Sequence, residues 1–228
     1  MNIVITGANR GLGLGLVAHY LAQGHELWAC ARNPCEVTAW DALASSSLHP
    51  VRWDVADDAP PQCMGSCTWP SAIHVLINNA GIYGPVGTGQ SLQNVSSKCM
   101  LDVFNVDAIG PLRVVQHLLP ALREGDATVA NIASKMGSIS DNSSGGNYAY
   151  RAAKTALMMV SKSMAVDLAD SGIHVITLHP GWVKTDMTDH HGLINVATSV
   201  QGMSNVISRA CDYLPGDFIA FDGTLIGF

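Results

Sequence analysis

The sequence is poor in charged side chains and has no run of basic ones. Charged residues make up 13% of the 228 residues, and the formal net charge is -6. Proteins that bind nucleic acid or anionic membranes through their surface usually carry a basic patch. The composition therefore argues against both classes of partner.

Long hydrophobic runs and targeting signals are also lacking. No apolar run approaches the roughly 20 residues that a membrane-spanning helix needs. The opening residues, MNIVITGANRG, carry neither a basic leader nor a small-residue cleavage site, and they run directly into a strand-like pattern. We therefore expect a cytoplasmic protein rather than a secreted or membrane-inserted one.

The spacing of the six cysteines does not match that of a small domain held together by disulfide bonds. Disulfide frameworks are typical of small secreted domains, and this chain is large enough to fold without them. Cys63 and Cys67 are spaced like half of a metal site, but no second pair at a suitable distance accompanies them. We expect reduced thiols and no metal centre.

What the sequence does contain is an alternation of apolar runs and helix-period segments along its whole length. Strand-like runs are predicted at 2–6, 26–31, 51–55, 74–79, 127–133, 174–179 and 217–222. Helices are predicted at 12–22, 36–45, roughly 96–124, 148–170 and 198–212. Residues 56–72 show neither a strand nor a helix pattern, and we predict an irregular crossover there. The order predicts an α/β protein, one doubly wound domain over 1–228, with a parallel sheet of about seven strands and helices on both faces.

A glycine-rich turn, VITGANRGLGLG, joins the first strand to the first helix. Glycines at these spacings allow a tight turn, a close approach of the backbone to a pyrophosphate, and close helix–sheet packing, while the helix N-terminus offers free N–H groups. Spaced glycines alone are a weak signal, but the strand-before, helix-after context strengthens the prediction of nucleotide binding. The candidate contacts in this turn are Gly7, Asn9, Arg10, Gly11, Leu12 and Gly13.

Two tyrosines and one lysine stand together in GGNYAYRAAKTA. Tyr150 and Lys154 are four positions apart and share a helical face, whereas Tyr148 and Lys154 do not. A free phenol titrates near ~10, and a neighbouring ammonium lowers that value by favouring the phenolate. Tyr150 is therefore the candidate general acid and base. The alternative, a solvated surface pair, would be the default without the glycine turn upstream.

Five motifs in order resemble the short-chain dehydrogenase/reductase family. They are the glycine turn after Thr6, NNAG at 78–81, NIAS at 131–134, the Tyr150–Lys154 pair, and PGWVKTDM at 180–187. The similarity covers essentially the whole chain, and its length and ending resemble the branch of C-signal-like and sniffer-like carbonyl reductases. It implies a Rossmann fold that binds a nicotinamide cofactor and acts on CH–OH or C=O groups.

The resemblance implies roles for further residues. In this family Ser134 binds the substrate oxygen and orients Tyr150, although the gap between the two is longer here than in many members. Lys154 also binds the nicotinamide ribose, and Asn105 holds a water that relays protons to Lys154. The alternative for Asn105 is an exposed residue without a function, but the nearby Pro111 favours a distorted, functional helix. Other implied cofactor contacts are Asp54, Val55, Asn79, Ala80, Gly81, Pro180, Gly181, Val183 and Thr185.

One of these assignments has a structural alternative. Asp54 could instead cap the turn that follows the third strand. Asn78, beside the implied contacts, is expected to brace the sheet. Trp182, Met187, Tyr148 and Tyr83 are candidate apolar walls of the substrate pocket, and the short segment after Met187 leaves little chain for a lid.

Cofactor preference is predicted from the end of the second strand. An acidic residue there binds the 2′-hydroxyl of NAD, whereas basic residues accommodate the 2′-phosphate of NADP. The chain has Arg32 at this place, and Arg10 lies in the glycine turn. Two guanidinium groups suit a phosphate dianion, so NADP(H) is expected to be preferred, with NAD(H) possible. The alternative is that both are solvated surface arginines.

Three functions remain open at this point. The first is NADPH-dependent reduction of ketones or aldehydes; the second is oxidation of an alcohol in a catabolic pathway by the same residues. The third is a nucleotide-binding sensor with little turnover. Apolar residues on more than one face of the helices near 96–124 and 148–170 indicate a homodimer or homotetramer, as the family implies. The sequence names neither the substrate nor its stereochemistry.

Overall fold

Eight strands form one sheet in the order β4-β3-β2-β1-β5-β6-β7-β8. The computed structural model describes residues 1–43 and 45–228. The strands are β1 (Asn2–Thr6), β2 (Glu26–Ala31), β3 (Leu48–Arg52), β4 (Gln62–Cys63), β5 (Val75–Asn78), β6 (Thr128–Ile132), β7 (His174–His179) and β8 (Phe218–Ala220). Every neighbouring pair is parallel except β3 and β4. The strand order reverses between β1 and β5, and the carboxyl ends of strands at such a point form a crevice for ligands.

Six α-helices connect the strands in the described part of the chain. They are α1 (Gly11–Ala22), α2 (Thr38–Asp41), α3 (Ser97–Phe104), α4 (Gly110–Glu124), α5 (Tyr148–Asp167) and α6 (Val196–Ser208). Short 3-10 turns lie at Pro34–Glu36, Gly87–Gln90, Lys135–Gly137, Ala169–Ser171, Asp186–Thr188 and Ala210–Asp212. No helix within the described ranges has the length and apolarity to cross a bilayer.

The alternating side chains of the strands build one hydrophobic layer on each face of the sheet. On β1, Ile3 and Ile5 pack into the layer that includes residues of α1 and α6, whereas Val4 packs into the layer of α4 and α5. All three are fully buried. The three consecutive apolar residues of β1 are thus explained by helices on both faces of the sheet.

The predicted α/β fold is confirmed, with one strand more than expected. The added strand, β4, is a two-residue antiparallel edge in the segment taken as an irregular crossover. Such a short edge has too few residues to show an alternating pattern. The predicted helix at 36–45 is also shorter: it consists of the 3-10 turn Pro34–Glu36 and the single turn of α2, and residue 44 lies outside the described residues.

The predicted helix at 96–124 is interrupted in its middle by a π-helical segment, Asn105–Ile109. This segment lies between α3 and α4, and Pro111 follows it in the first turn of α4. Such a segment inserts one residue into the helical repeat and re-aims the side chains within it. The distortion expected near Pro111 is present, and it decides which side chain reaches the centre of the molecule.

Candidate active site

The glycine turn folds tightly against the loop that follows β5. Gly7 has a φ of +62°, and a Cβ atom at this position would lie 2.7 Å from Ala80 Cα. A Cβ on Gly13 would overlap the carbonyl oxygen of Gly7 and lie 2.6 Å from Asn79 Nδ2. Side chains are therefore excluded at two of the three motif glycines for reasons of packing within the fold itself.

Asn79 fixes the turn rather than presenting its side chain to the crevice. Its Nδ2 donates to the carbonyl oxygens of Thr6 and Gly7 at 2.9 and 3.0 Å. Thr6 Oγ1 accepts from the backbone N–H groups of Asn79 and Ala80, each at 3.1 Å. The Asn79 amide is thus occupied in holding β1 and β5 together at their carboxyl ends.

Asn78 braces the sheet, as expected. Its Nδ2 donates to Asn131 Oδ1 at 2.8 Å, and Asn131 Nδ2 donates to Ser161 Oγ at 2.8 Å. Both asparagines and Ser161 are buried, so each hydrogen bond offsets the cost of removing a polar group from water. The chain of bonds joins β5, β6 and α5 and fixes the helix that carries Tyr150 and Lys154.

Tyr150 and Lys154 lie side by side near the N-terminus of α5. Lys154 Nζ is 5.6 Å from the centroid of the Tyr150 ring, and both side chains are buried. The ring of Tyr83 packs against that of Tyr150 with centroids 4.7 Å apart. The four-residue spacing has therefore brought the phenol and the ammonium together on one face of the helix.

Asp107, in the π-helical segment, completes a buried cluster with Lys154. Lys154 Nζ lies 3.0 Å from Asp107 Oδ2 and donates to the carbonyl oxygen of Ile132 at 3.0 Å. Asp107 Oδ1 accepts from the backbone N–H of Ile82 at 2.8 Å. Burial alone would lower the pKa of Lys154, but the Asp107 carboxylate and Tyr150 raise it above the usual value. Burial raises the pKa of Asp107, whereas Lys154 and the N–H of Ile82 lower it. We describe the pair as an ammonium and a carboxylate because the 3.0 Å contact and the Ile82 N–H stabilise the charged forms.

The pKa of Tyr150 is raised, contrary to the direction expected from Lys154 alone. Burial raises this pKa most, Lys154 lowers it, and Asp107 raises it again. The nearby Ser134 hydroxyl lowers the pKa of Tyr150, and Tyr83 raises it. The ammonium acts in the predicted direction, but desolvation of a buried phenolate outweighs it because a charge without water is costly.

The side chain of Asn105 makes its hydrogen bonds away from Lys154, and its expected role in holding a water stays a prediction. Its Nδ2 donates to the carbonyl oxygen of Ala56 at 3.0 Å, and its Oδ1 accepts from Arg113 Nη2 at 3.3 Å. These partners lie in the segment after β3 and in α4. The π turn aims the residue two positions later, Asp107, at the lysine. The carbonyl–amide bond gives Asn105 a role in attaching this helix to the segment after β3.

We expect Asn105→Ala to lower the free energy of unfolding by about 1–2 kcal/mol. The substitution removes the donor to Ala56 and the acceptor from Arg113, and the part-buried carbonyl then lacks its partner. Urea unfolding followed by circular dichroism measures the change. A variant as stable as the parent chain would contradict the structural role.

Gln90 is a site residue that the sequence did not single out. It is 1% exposed, and its Oε1 accepts from the backbone N–H of Tyr150 at 3.0 Å. Its Nε2 donates to the carbonyl oxygens of Tyr83 and Pro85 at 2.7 and 3.1 Å. One buried amide therefore ties the N-terminus of α5 to the loop that carries Tyr83. A single glutamine in a polar loop offers no sequence signal for this role.

Ser134 lies at the carboxyl end of β6, half-buried beside the cluster. Its Oγ accepts from the backbone N–H of Met136 at 3.2 Å. Next to it on the sheet, His179 ends β7 and its Nδ1 accepts from the backbone N–H of Lys135 at 3.3 Å. Burial lowers the pKa of His179 to about 4, so the imidazole is neutral near pH 7. His179 was not a candidate from the sequence.

The two arginines predicted to select the cofactor are both exposed. Arg10 precedes α1, and its Nη1 lies 3.4 Å from Asp186 Oδ2 with both side chains more than half exposed. Arg32 follows β2 and makes no ion pair with any residue within 1–43 or 45–228. Both lie at the carboxyl edge of the sheet, as the prediction required.

Asp54 and Val55 follow β3. The turn-capping alternative for Asp54 is present, because its Oδ1 accepts from the backbone N–H of Ala56 at 3.0 Å. Val55 is buried and packs against Gly110, where an added Cβ atom would lie 3.1 Å from Val55 Cγ2. The side chain of Val55 therefore faces the core, while Asp54 stays exposed at the sheet edge.

The segment after β7 returns to the glycine turn. Gly181 has a φ of +84°, and Ser199 Oγ donates to the carbonyl oxygen of Pro180 at 2.6 Å. Val183 is buried, its carbonyl oxygen accepting from Thr188 Oγ1 at 2.7 Å. Thr185 caps the next turn, and a Cβ on Gly11 would lie 3.6 Å from Thr185 Cγ2.

Of the remaining turn residues, Asn9 is exposed, whereas Leu12 packs part-buried against the core. Within the described chain no side chain caps the N-terminus of α1. The first N–H groups of that helix are therefore left for solvent or a ligand.

Two clefts adjoin the loop after β6. The larger, of about 490 Å³, is lined by residues that include Ser138, His179 and Phe221. The smaller, of about 270 Å³, includes Ser138, Tyr148 and Arg151. Trp182 and Met187, the other proposed walls, are exposed.

Comparison with known proteins identifies the family. Residues 1–193 match the family described as short chain dehydrogenase. The chain belongs to the short-chain dehydrogenase family. The C-signal protein of Myxococcus xanthus is 42% identical over 159 residues, which are 69% of this chain and 93% of that protein.

Solved structures agree with this assignment. The carbonyl reductase Sniffer of D. melanogaster superposes with a TM-score of 0.89 at 32% identity, covering 100% of this chain and 99% of the other. The NADPH-bound carbonyl reductase from chicken fatty liver gives 0.87 at 32% identity, covering 100% and 98%. The chain is thus an oxidoreductase of the short-chain dehydrogenase family that uses a nicotinamide cofactor, and its resemblance to sniffer-like carbonyl reductases is confirmed.

Proposed function

We propose that the protein reduces ketones or aldehydes with NADPH, using Tyr150 as the proton donor. The observation that carries the proposal is the buried phenol of Tyr150 beside Lys154 and Ser134, at the carboxyl edge of the sheet. A proton donor and a hydroxyl group at this edge suit a carbonyl oxygen that gains negative charge. The carbonyl reductases to which the chain is similar support the same substrate class.

The glycine turn fits a dinucleotide. The glycines let the turn fold tightly at the end of β1, and the N-terminus of α1, which has no side-chain cap, lies at the same edge of the sheet. These features suit a pyrophosphate, which binds to backbone N–H groups and a helix dipole. We assign the pyrophosphate contact to the residues of the glycine turn. The adenosine would lie against Asp54 and the backbone of 79–81, and the nicotinamide end against Lys154 and residues 180–185.

When bound, the nicotinamide cofactor would supply a hydride, that is two electrons and a proton, for the carbonyl carbon. The chain supplies the proton: the O–H bond of Tyr150 breaks as a new O–H bond forms on the substrate oxygen, and solvent later returns a proton to Tyr150. Ser134 donates a hydrogen bond to the same oxygen, and Lys154 holds the cofactor ribose. This division is consistent with the burial of Tyr150, because a phenol kept neutral is a proton donor rather than a base.

The preference for NADPH is assigned to Arg32, with Arg10 as its partner. We expect Arg32→Glu to lower kcat/KM with NADPH by about 10–100-fold, because a charge-assisted contact with the 2′-phosphate is lost and a carboxylate repels it. Activity with NADH should change by less than about threefold. Initial rates with both cofactors measure the effect.

Arg123→Glu is the matched control, because it makes the same charge change at the exposed end of α4, away from the carboxyl edge. It should leave the NADPH-to-NADH ratio unaltered. Equal losses in both variants, or no change in the ratio for Arg32→Glu, would contradict the assignment.

The first test of the function is oxidation of NADPH by the purified protein with a panel of ketones and aldehydes, with NADH in parallel. Carbonyl-dependent turnover supports the proposal. Turnover only with alcohols and the oxidised cofactor, or tight cofactor binding without any turnover, would replace it with a dehydrogenase or a sensor respectively.

We also propose that the chain forms a homo-oligomer through α3 and α5. Met159 and Val166 on α5 are 68% and 66% exposed, and Leu101 on α3 is 69% exposed. Apolar side chains on neighbouring helices are typical of protein interfaces. By contrast Ala153, Leu157 and Met158, on another face of α5, are buried within the subunit. Light scattering on the purified protein measures the mass, and a monomer at micromolar concentration would refute the proposal.

A further inference from the structure

Asp107 is a fully buried carboxylate that the mechanism above does not use. It is 0% exposed, and its two oxygens face the Lys154 ammonium and the backbone N–H of Ile82. A buried carboxylate is costly unless it is paired, and removing one partner of such a pair leaves an uncompensated charge. The negative charge of Asp107 is thus held in the interior by its contacts with Lys154 and Ile82.

The surroundings hold the pair in one position. A Cβ on Gly81 would lie 3.2 Å from Asp107 Oδ2 and 3.4 Å from Lys154 Nζ, so the backbone after β5 lies directly against both groups. Lys154 is fixed on its other side by the carbonyl oxygen of Ile132. The ammonium thus has the carboxylate on one side and the ring of Tyr150 on another.

The electrostatic consequence follows from Coulomb's law at short range. An isolated ammonium beside a phenol stabilises the phenolate, whereas a carboxylate in contact with that ammonium cancels much of its field at the phenol. We propose that Asp107 is a positioning residue that holds Lys154 charged and keeps Tyr150 protonated near neutral pH, which favours proton donation to a carbonyl over proton removal from an alcohol. This inference rests on the proposed function for its direction of reaction.

Four charged or hydroxyl-bearing side chains lie around Tyr150, and the neutral amide of Gln90 bonds its backbone N–H. Lys154 lies on its own helix, Asp107 in the π-helical segment, and Tyr83 in the loop after β5, while the Ser134 hydroxyl comes from the end of β6. Lys154 and Ser134 favour the phenolate; burial, Asp107 and Tyr83 oppose it. Asp107 is the one carboxylate in this set.

The substitution Asp107→Asn tests the effect of the carboxylate charge separately from the effect of the side-chain shape. Asparagine keeps the shape and an Oδ1 that accepts from Ile82, so only the negative charge is removed. We expect the Tyr150–Lys154 pair to lose its first proton at a pH lower by about one unit or more. The titration uses protein without cofactor, labelled with carbon-13 at tyrosine Cζ and lysine Cε and followed by NMR, with Tyr150→Phe to assign the signal.

Asp102→Asn is the matched control. It removes one carboxylate from α3, but Asp102 is exposed and paired with Lys98 at 2.7 Å. This variant should titrate like the parent chain. If Asp107→Asn also titrates like the parent chain, the proposal is overturned.

The parent chain provides a second test that does not depend on the folding of a variant. Its Tyr150 should stay protonated to a pH above the ~10 of a free tyrosine, and ionisation below that pH overturns the proposal. In turnover, the alkaline limb of kcat for carbonyl reduction should move with the NMR titration in Asp107→Asn. Absence of carbonyl turnover in the parent chain would refute the proposed function, whereas the cofactor-free titration separately tests the effect of Asp107 on the pair.

Discussion

Replacing Tyr150 with phenylalanine is expected to lower kcat for carbonyl reduction by about 1000-fold, since it removes the proton donor. The ring is 8% exposed and packs against Tyr83, and phenylalanine retains that packing. Cofactor affinity should change by less than about threefold. Because the proton is transferred only in the transition state, kcat and kcat/KM should fall together. Steady-state rates and fluorescence titration with NADPH measure the two quantities.

Tyr148→Phe is the control for this experiment. Tyr148 lies on the same helix two residues earlier, is exposed, and lines the smaller cleft. Removing its hydroxyl leaves the apolar wall in place, so activity should stay within about threefold of the parent chain. A similar loss in both variants would show that the hydroxyl of Tyr150 has no special role. A large loss of NADPH affinity in Tyr150→Phe would mean that the residue binds rather than catalyses.

Much of this arrangement could be predicted from the sequence because it depends on local spacing. Tyr150 and Lys154 share a face in any undistorted α-helix, and α5 is undistorted from Tyr148 to Asp167. The glycine turn is also local, since the strand before it and the helix after it are both visible as patterns. Elements with a regular period place their side chains predictably.

The sequence did not single out Asp107 because the helical period is not regular there, and the water-holding role of Asn105 stays a prediction. A helix that keeps 3.6 residues per turn fixes which side chains face inward, but the π-helical segment adds one residue to a turn and changes the faces that follow. Pro111 in the sequence indicates that the helix is distorted, but it does not show where the distortion lies or that it is a π-helical segment. Asp107 lies in the same segment as Asn105, and only the folded structure shows that its carboxylate contacts Lys154.

Gln90 and β4 were missed for a different reason. Gln90 bonds the carbonyl oxygen of the nearby Tyr83, but its bond to Tyr150 on α5 joins residues far apart in the sequence, so no local pattern indicates its burial. The two residues of β4 become a strand only by pairing with Val51 and Arg52. Features made by tertiary contacts of one or two residues leave no periodic pattern.

Gly13→Ala should lower the affinity for NADPH by about 30-fold or more, equivalent to about 2 kcal/mol. The added Cβ overlaps the carbonyl oxygen of Gly7 and lies 2.6 Å from Asn79 Nδ2, so the turn must open to accept it. Because the same amide holds β1 to β5, the free energy of unfolding should also fall, by about 1–3 kcal/mol. Calorimetric titration with NADPH and urea unfolding measure the two losses.

Gly24→Ala separates binding from stability. Gly24 follows the opposite end of α1 with a φ of +78°, and no described atom lies within 4 Å of its Cβ position. Alanine is strained there, so this variant should lose about 1 kcal/mol of stability while binding NADPH like the parent chain. If Gly13→Ala binds NADPH normally, the turn does not form the pyrophosphate site. If both variants lose affinity in proportion to their stability, the effect of Gly13→Ala is on folding alone, and the tight approach of Gly7 to Ala80 serves packing rather than the cofactor.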